Sequence, residues 1–155
     1  DESLLAFACG DGTIALYDSK SLKEFQRINA HALSANCVMF HPDGKQLLSG
    51  GRDAYLRVWD VSENFQMTNE IPAHNYAIYK IAFNSNGNIF ATASRDKTIK
   101  LWNTNDASII IRLDKDNFNG HLNSVNNVMW MPENNYLISA SDDRSIIVWK
   151  VSEKN

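Results

Sequence analysis

The 155 residues are 44% apolar and 21% charged, and 15 Lys plus Arg stand against 18 Asp plus Glu for a formal net charge of −3. That is apolar material for the core of about one domain, and the balance excludes the dense basic face that non-specific nucleic-acid binding requires. No apolar run approaches the roughly 18 residues of a membrane-spanning helix, so neither nucleic acid nor membrane is expected as a partner.

In chain order, the first patterned segment is Gly10–Asp18, where Ile14 and Leu16 alternate with other residues up to Tyr17. Leu56 and Val58 do the same before Trp59, Ile99 and Leu101 before Trp102, and Ile146 and Val148 before Trp149. A period of two is the mark of a pleated strand, and the β-branched and aromatic content agrees. Turn chemistry separates the runs at His41-Pro-Asp-Gly44, Asn84-Ser-Asn-Gly87 and Met131-Pro-Glu-Asn134. No window offers a helical stripe, and the reading is 14 strands with no substantial helix. Cys9 and Cys37 fall in apolar runs and are read as small buried residues of a reducing compartment, not as a disulfide framework or metal motif. His41, in the turn before Pro42, is expected to be solvated.

The runs belong to a repeat. Ala30–Asp60, Ala73–Asn103 and Gly120–Lys150 align without gaps. His31, His74 and His121 each precede a tryptophan (Trp59, Trp102, Trp149) by 28 residues; Ser49, Thr92 and Ser139 precede it by ten, and Asp53, Asp96 and Asp143 by six. A partial copy opens the chain, with Asp11 six residues before Tyr17 and Phe7 where the Ser or Thr should stand. The closing aromatics are 42, 43 and 47 residues apart, and the inserted stretch Asp114–Asn119 accounts for the longest interval.

This pattern resembles the WD-repeat family, whose repeats of about 40 to 45 residues open on Gly-His and close on Trp-Asp. Departures are Ala-His in place of Gly-His at residues 30 and 73, Trp-Asn and Trp-Lys at the last two closings, and the weaker opening copy. The resemblance implies an all-β fold: a β-propeller of four-stranded antiparallel blades, about three and a half of them, from the C-terminal half of a seven-bladed ring. The expected organisation is a partial blade over 1–29 and repeats over 30–72, 73–119 and 120–155. It also implies that each His, Ser/Thr, Asp and Trp set forms a buried hydrogen-bonded tetrad, a structural unit and not a catalytic one.

A Ser–His–Asp hydrolase is the competing chemistry. Three equivalent sets, each locked to a tryptophan, and no Gly-x-Ser-x-Gly elbow speak against it. No catalytic residue, metal or cofactor is assigned. The histidines belong to separate repeats and lack the spacing of a zinc site.

By the same resemblance, partners meet the face at the tetrad end. Its contact positions fall on Gly10, Arg52, Arg95 and Asp142 just before the turn aspartate, on Asn36, Tyr79 and Asn126, and on Ser34, Ala77 and Ser124. Phe118 in the insertion is a candidate anchor. Arg and Tyr are enriched among binding hot spots, so Arg52, Arg95 and Tyr79 suggest an acidic or phosphorylated peptide segment. The expected function is a non-catalytic, intracellular, cytoplasmic scaffold for protein or peptide partners, able to form a homodimer through open propeller edges. The alternatives are a propeller enzyme whose active groups lie outside this chain, and an accessory propeller of a multidomain protein.

Overall fold

A computed structural model describes residues 3–133 and 135–152. Among them the chain forms 14 strands and one short helix in four antiparallel sheets. The first sheet holds β1 (Leu4–Ala8), β2 (Thr13–Asp18) and β3 (Glu24–Asn29). The second holds β4 (Ala35–Phe40), β5 (Gln46–Gly51), β6 (Tyr55–Asp60) and β7 (Gln66–Pro72) in that order. The third holds β8 (Ile78–Phe83), β9 (Ile89–Ser94), β10 (Ile99–Asn103) and β11 (Ile109–Leu113). After helix α1 (Lys115–Phe118) come β12 (Val125–Trp130), β13 (Tyr136–Ser141) and β14 (Ile146–Lys150). The sheets are meanders of consecutive strands, the blade form that the repeat implied.

The chain divides into two compact units, Asp1–Ile78 and Tyr79–Asn155. In the first, Leu4, Ala6, Ile14, Leu16 and Ile28 of the first sheet pack against Val38, Phe40, Leu47 and Trp59 of the second. In the second, Ala82, Ala91, Ala93, Ile99, Leu101 and Leu113 pack against Val125, Val128, Trp130 and Leu137. Successive residues of a strand point to opposite faces, so buried neighbours such as Leu47 and Leu48 in β5 or Phe90 and Ala91 in β9 mark sheets covered on both faces.

One turn recurs. Asp11 Oδ1 accepts the Thr13 N–H at 3.0 Å, Asp53 Oδ1 that of Tyr55 at 3.2 Å, Asp96 Oδ1 that of Thr98 at 3.0 Å and Asp143 Oδ1 that of Ser145 at 2.9 Å. The residue between takes a positive φ each time: Gly12 at 88°, Ala54 at 68°, Lys97 at 73° and Arg144 at 66°. The aspartate bond helps hold a backbone conformation that an L-residue otherwise avoids. Gly44 (φ 75°) and Gly87 (φ 73°) close the turns read at residues 41–44 and 84–87. Of the third such turn, Asn134 lies outside the described residues.

Two readings are corrected. The His41 side chain is largely buried, not solvated, with Nδ1 2.5 Å from Asp43 Oδ1. Cys37 is buried as expected, but Cys9 is only half-buried.

A Cβ on Gly12 would lie 2.2 Å from the His31 carbonyl oxygen and 2.6 Å from that of Leu33, both backbone atoms that cannot step aside. At Gly10 nothing lies within 4 Å. Thermal melts of Gly12→Ala should therefore show a loss above about 1 kcal/mol, whereas Gly10→Ala should stay within about 0.5 kcal/mol. Equal losses would contradict the close approach.

Candidate functional site

The tetrad residues meet where each unit contains them. In the last blade the Trp149 Nε1–H donates to Ser139 Oγ at 2.9 Å, and that hydroxyl lies 2.8 Å from His121 Nε2. His121 Nδ1 is 3.1 Å from Asp143 Oδ2 and 3.0 Å from Ser145 Oγ. Asp143 also accepts the Leu122 N–H at 2.8 Å. Burial pushes the Asp143 carboxyl up, but bonds from Ser145 and the Leu122 backbone outweigh it and hold the carboxyl far below the usual carboxylate range. His121 and Ser139 are buried, so a missing partner would leave a desolvated polar group.

In the first complete blade the Trp59 Nε1–H donates to Ser49 Oγ at 3.0 Å, His31 Nε2 lies 3.0 Å from that oxygen, and His31 Nδ1 is 3.0 Å from Asp53 Oδ1. Of the middle set, His74 is buried in the first unit, while Thr92, Asp96 and Trp102 belong to the second. There Thr92 Oγ1 accepts the Trp102 Nε1–H at 2.9 Å. The opening copy replaces the network with an edge-to-face pair of Phe7 and Tyr17, centroids 5.4 Å apart.

Two contributors escaped the sequence reading. One is a hydroxyl two residues after the turn aspartate: Thr13, Thr98 and Ser145 each bond its carboxylate, at 2.6, 2.6 and 2.5 Å. The recurring spacing was visible in the alignment. The other is Arg57, present once, where Tyr55 takes the hydroxyl's place. Buried Arg57 sets Nη1 2.8 Å from Asp53 Oδ2 and 2.5 Å from His31 Nδ1, gives Nε to Glu70 at 2.7 Å, and lies over the Tyr55 ring. Burial pushes the His31 pKa down, the Asp53 carboxylate opposes this, and the Arg57 charge adds to it. Burial raises Asp53, but bonds from Arg57 and His31 bring it below its ordinary value.

The face positions lie on turns and bulges. The β4–β5 register shifts between Ala35 and Cys37, and the β12–β13 register between Val125 and Asn127, which leaves Asn36 and Asn126 as the bulged residues. A bulge re-aims a side chain. Ser34 Oγ donates to Asn36 Oδ1 at 3.0 Å, and Asn36 Nδ2 donates to the Ile78 carbonyl at 3.0 Å. Asn126 Nδ2 donates to Asp142 Oδ1 at 2.5 Å. The Arg52 N–H donates to the Ser34 carbonyl at 2.8 Å and the Asp142 N–H to that of Ser124 at 3.0 Å, an equivalent latch in each unit. The Arg52, Arg95, Asn126, Asp142 and Gly10 residues are exposed, Ser34, Asn36, Tyr79 and Ser124 are half-buried, and Ala77 is buried, with little surface to offer.

Phe118 ends α1, the one departure from an all-strand reading. Asp114 caps it by accepting the Asn117 N–H at 2.9 Å, and Asn119 closes it at φ 52°. Phe118 is exposed, beside a groove also lined by Leu122, Ile147 and Trp149. Among the described residues no group of three or more His, Cys, Asp or Glu could hold a metal ion, and no helix is long and apolar enough to cross a membrane.

Antiparallel blades of one repeat, two of them pinned by a complete tryptophan-to-aspartate network, define a β-propeller repeat protein. The family model described as "WD domain, G-beta repeat" matches residues 21–60, 65–103 and 114–150, and the chain belongs to this WD40 repeat family. It is similar to Protein HIRA of Dictyostelium discoideum (31% identical, over 83% of this chain and 13% of that protein). It is similar also to nuclear distribution protein nudF of Aspergillus niger (31%, 98% and 38%) and to Elongator complex protein 2 of Schizosaccharomyces pombe (28%, 92% and 20%). The chain spans 13% to 38% of the length of these relatives.

The folded carboxyls of Asp53 and Asp143 lie below their ordinary 3.8, and His31 lies below 6.5. A depressed folded pKa contributes stability that is full above the ordinary value and is lost as pH falls through the folded one. Acid should therefore destabilise the chain first below about pH 6.5 through His31 and more steeply below about pH 4. Asp143→Ala should cost about 1–3 kcal/mol at neutral pH and flatten the acid limb, with exposed Asp116→Ala as the near-neutral control; denaturant titration across pH checks both.

Proposed function

We propose that this chain is a non-catalytic interaction scaffold that takes protein or peptide partners on the rim at the tetrad end of its blades. The observation that carries the reading is the commitment of every described Ser–His pair. Each hydroxyl accepts from a tryptophan and is buried, so none is poised to attack a substrate. The turn aspartates Asp53, Asp96 and Asp143 hold the turns that present Arg52, Arg95 and Asp142, and rigid turns with exposed polar tips suit recognition. One relative is named as a protein of the Elongator complex, which agrees with a role in assemblies. An intracellular setting, nuclear or cytoplasmic, belongs to this reading.

The partner chemistry follows from the arginines. Arg52 of the first unit and Arg95 of the second are exposed at equivalent positions, and a guanidinium pairs bidentately with carboxylate or phosphate. Tyr79 adds a half-buried aromatic in the second unit. Acidic or phosphorylated segments are the ligands proposed.

A peptide array with matched unmodified, acidic and phosphorylated sequences tests this. Acidic and phosphorylated spots should dominate capture, and Arg52→Glu and Arg95→Glu should each weaken it about tenfold or more, as loss of a charged hydrogen-bonded pair does. Capture that ignores both substitutions in folded protein would refute the arginine assignment.

A further inference from the structure

A groove of about 380 Å³ opens on the flank of the first unit, where the end of β3 meets the outer part of the second sheet. Two register rows of that sheet reach it, Ser49–Arg57–Glu70 and Leu47–Trp59–Met67. Trp59, Met67, Ala30 and Ala32 line it with apolar atoms, and Arg57 and Glu70 bring its charges. Trp59 is 4% exposed and Met67 45%, so the indole lies at the floor and the thioether at the mouth.

Arg57 is a buried guanidinium, 9% exposed, whose donors are not all used. Nε donates to Glu70 Oε2, and Nη1 serves Asp53 Oδ2 and His31 Nδ1. Nη2 has no hydrogen-bond partner among the described residues. It is not sealed in either, because the one enclosed side-chain atom without a partner among them is Thr104 Oγ1. An unused donor on so buried a side chain is costly unless the contents of the groove meet it. Beside it, Glu70 is 44% exposed in its side chain and spends Oε2 on Arg57, which leaves Oε1 as an acceptor. The fold does not demand a glutamate here: in the third sheet the equivalent cross-strand pair is Lys100 with Arg112.

Charge decides which group fits between this donor and this acceptor. Two carboxylates, Asp53 and Glu70, bond one guanidinium. Burial pushes His31 below its ordinary pKa, so the imidazole is neutral at neutral pH. The cluster carries one net negative charge, which repels a ligand carboxylate, while a ligand cation would meet the Arg57 guanidinium. A primary carboxamide is neutral and sets an acceptor oxygen next to a donor NH2.

We propose that this groove binds the carboxamide of a glutamine or asparagine side chain from a partner peptide. Its oxygen accepts from Arg57 Nη2, its NH2 donates to Glu70 Oε1, and its methylene stem lies against Trp59 and Met67. A methionine at the mouth adapts to the shape of such a stem. The site is separate from the rim positions Arg52 and Arg95 and does not depend on the ligand that they take.

An NMR titration of the full chain with N-acetyl-glutamine methylamide and the isosteric N-acetyl-glutamate methylamide tests this, read at the Trp59 Nε1–H and the Met67 methyl. The glutamine probe should shift both signals and bind at least about tenfold more tightly than the glutamate probe, since a site built to pair a donor and an acceptor rejects an analogue that fails one. Glu70→Gln should reverse that order. Its oxygen stays on the Arg57 Nε–H, and its NH2 then faces the groove as a donor suited to a carboxylate. A merely structural Glu70 would leave the order of the two probes unchanged. If Glu70→Gln loses its strand circular dichroism, Met67→Ala, which leaves the ion pairs intact, should weaken the glutamine probe about fivefold or more by removing an apolar wall. Signals that neither probe shifts, a glutamate probe that binds wild type as tightly as the glutamine probe, an unchanged order in folded Glu70→Gln, or full binding by Met67→Ala would each overturn the proposal.

Discussion

One hydroxyl between a tryptophan and a histidine governs each complete network. Ser139 can accept from the Trp149 N–H and give its own proton to His121 Nε2. That places the histidine proton on Nδ1, toward Asp143. The chain of donors then has one direction, and its end is a carboxylate that also takes the backbone N–H groups of Leu122 and Ser145. Four segments far apart in sequence are fixed by one set of buried bonds. A fully paired buried network rigidifies what it joins, and a half-paired one is worse than an apolar core. The rim inherits its order from this interior.

The blade with Arg57 meets the same demand with different atoms. A Cβ on Gly51 would lie 2.3 Å from His31 Nδ1 and 2.7 Å from Asp53 Oδ1. Ser94 and Ser141 occupy that position in the other repeats, and their hydroxyls accept the Asp96 and Asp143 N–H groups. Where the guanidinium enters, the serine and the Asp-linked hydroxyl are gone, and Gly51 and Tyr55 replace them. Three residues change together because they share one volume and one carboxylate. Glu70 then satisfies the far side of the guanidinium, so the charge is not left unpaired in a buried place.

Legibility in the sequence followed repetition. The strands, the turns at Gly44 and Gly87, and the tetrad positions were readable because each spacing occurs three times and alternation marks a strand wherever it occurs. Arg57 was not, because it appears once and its meaning depends on Gly51, Tyr55 and Glu70 at once. The alignment located Asn36 and Asn126 but not the bulges that aim them, since a bulge is a property of the pairing between two strands. Nor could it show that Asn36 spends its amide on Ile78 and Asn126 on Asp142, a choice that depends on which group the fold brings near. The insertion read as a loop became a helical turn through one side-chain cap, Asp114 to the Asn117 N–H, a local bond with no periodic signature.

A strand with apolar residues on both faces belongs to a sheet covered on both faces, so the broad surfaces of each blade serve packing. Recognition, in the reading proposed above, falls to the turns, whose backbone is held by aspartate and whose tips carry the variable side chains. A nucleophile would need a hydroxyl with an acceptor base and open space before it. In each complete described network the hydroxyl is buried, its lone pair faces the indole, and its proton has the histidine as partner, so the group most suggestive of hydrolysis is the one most fully occupied by the fold.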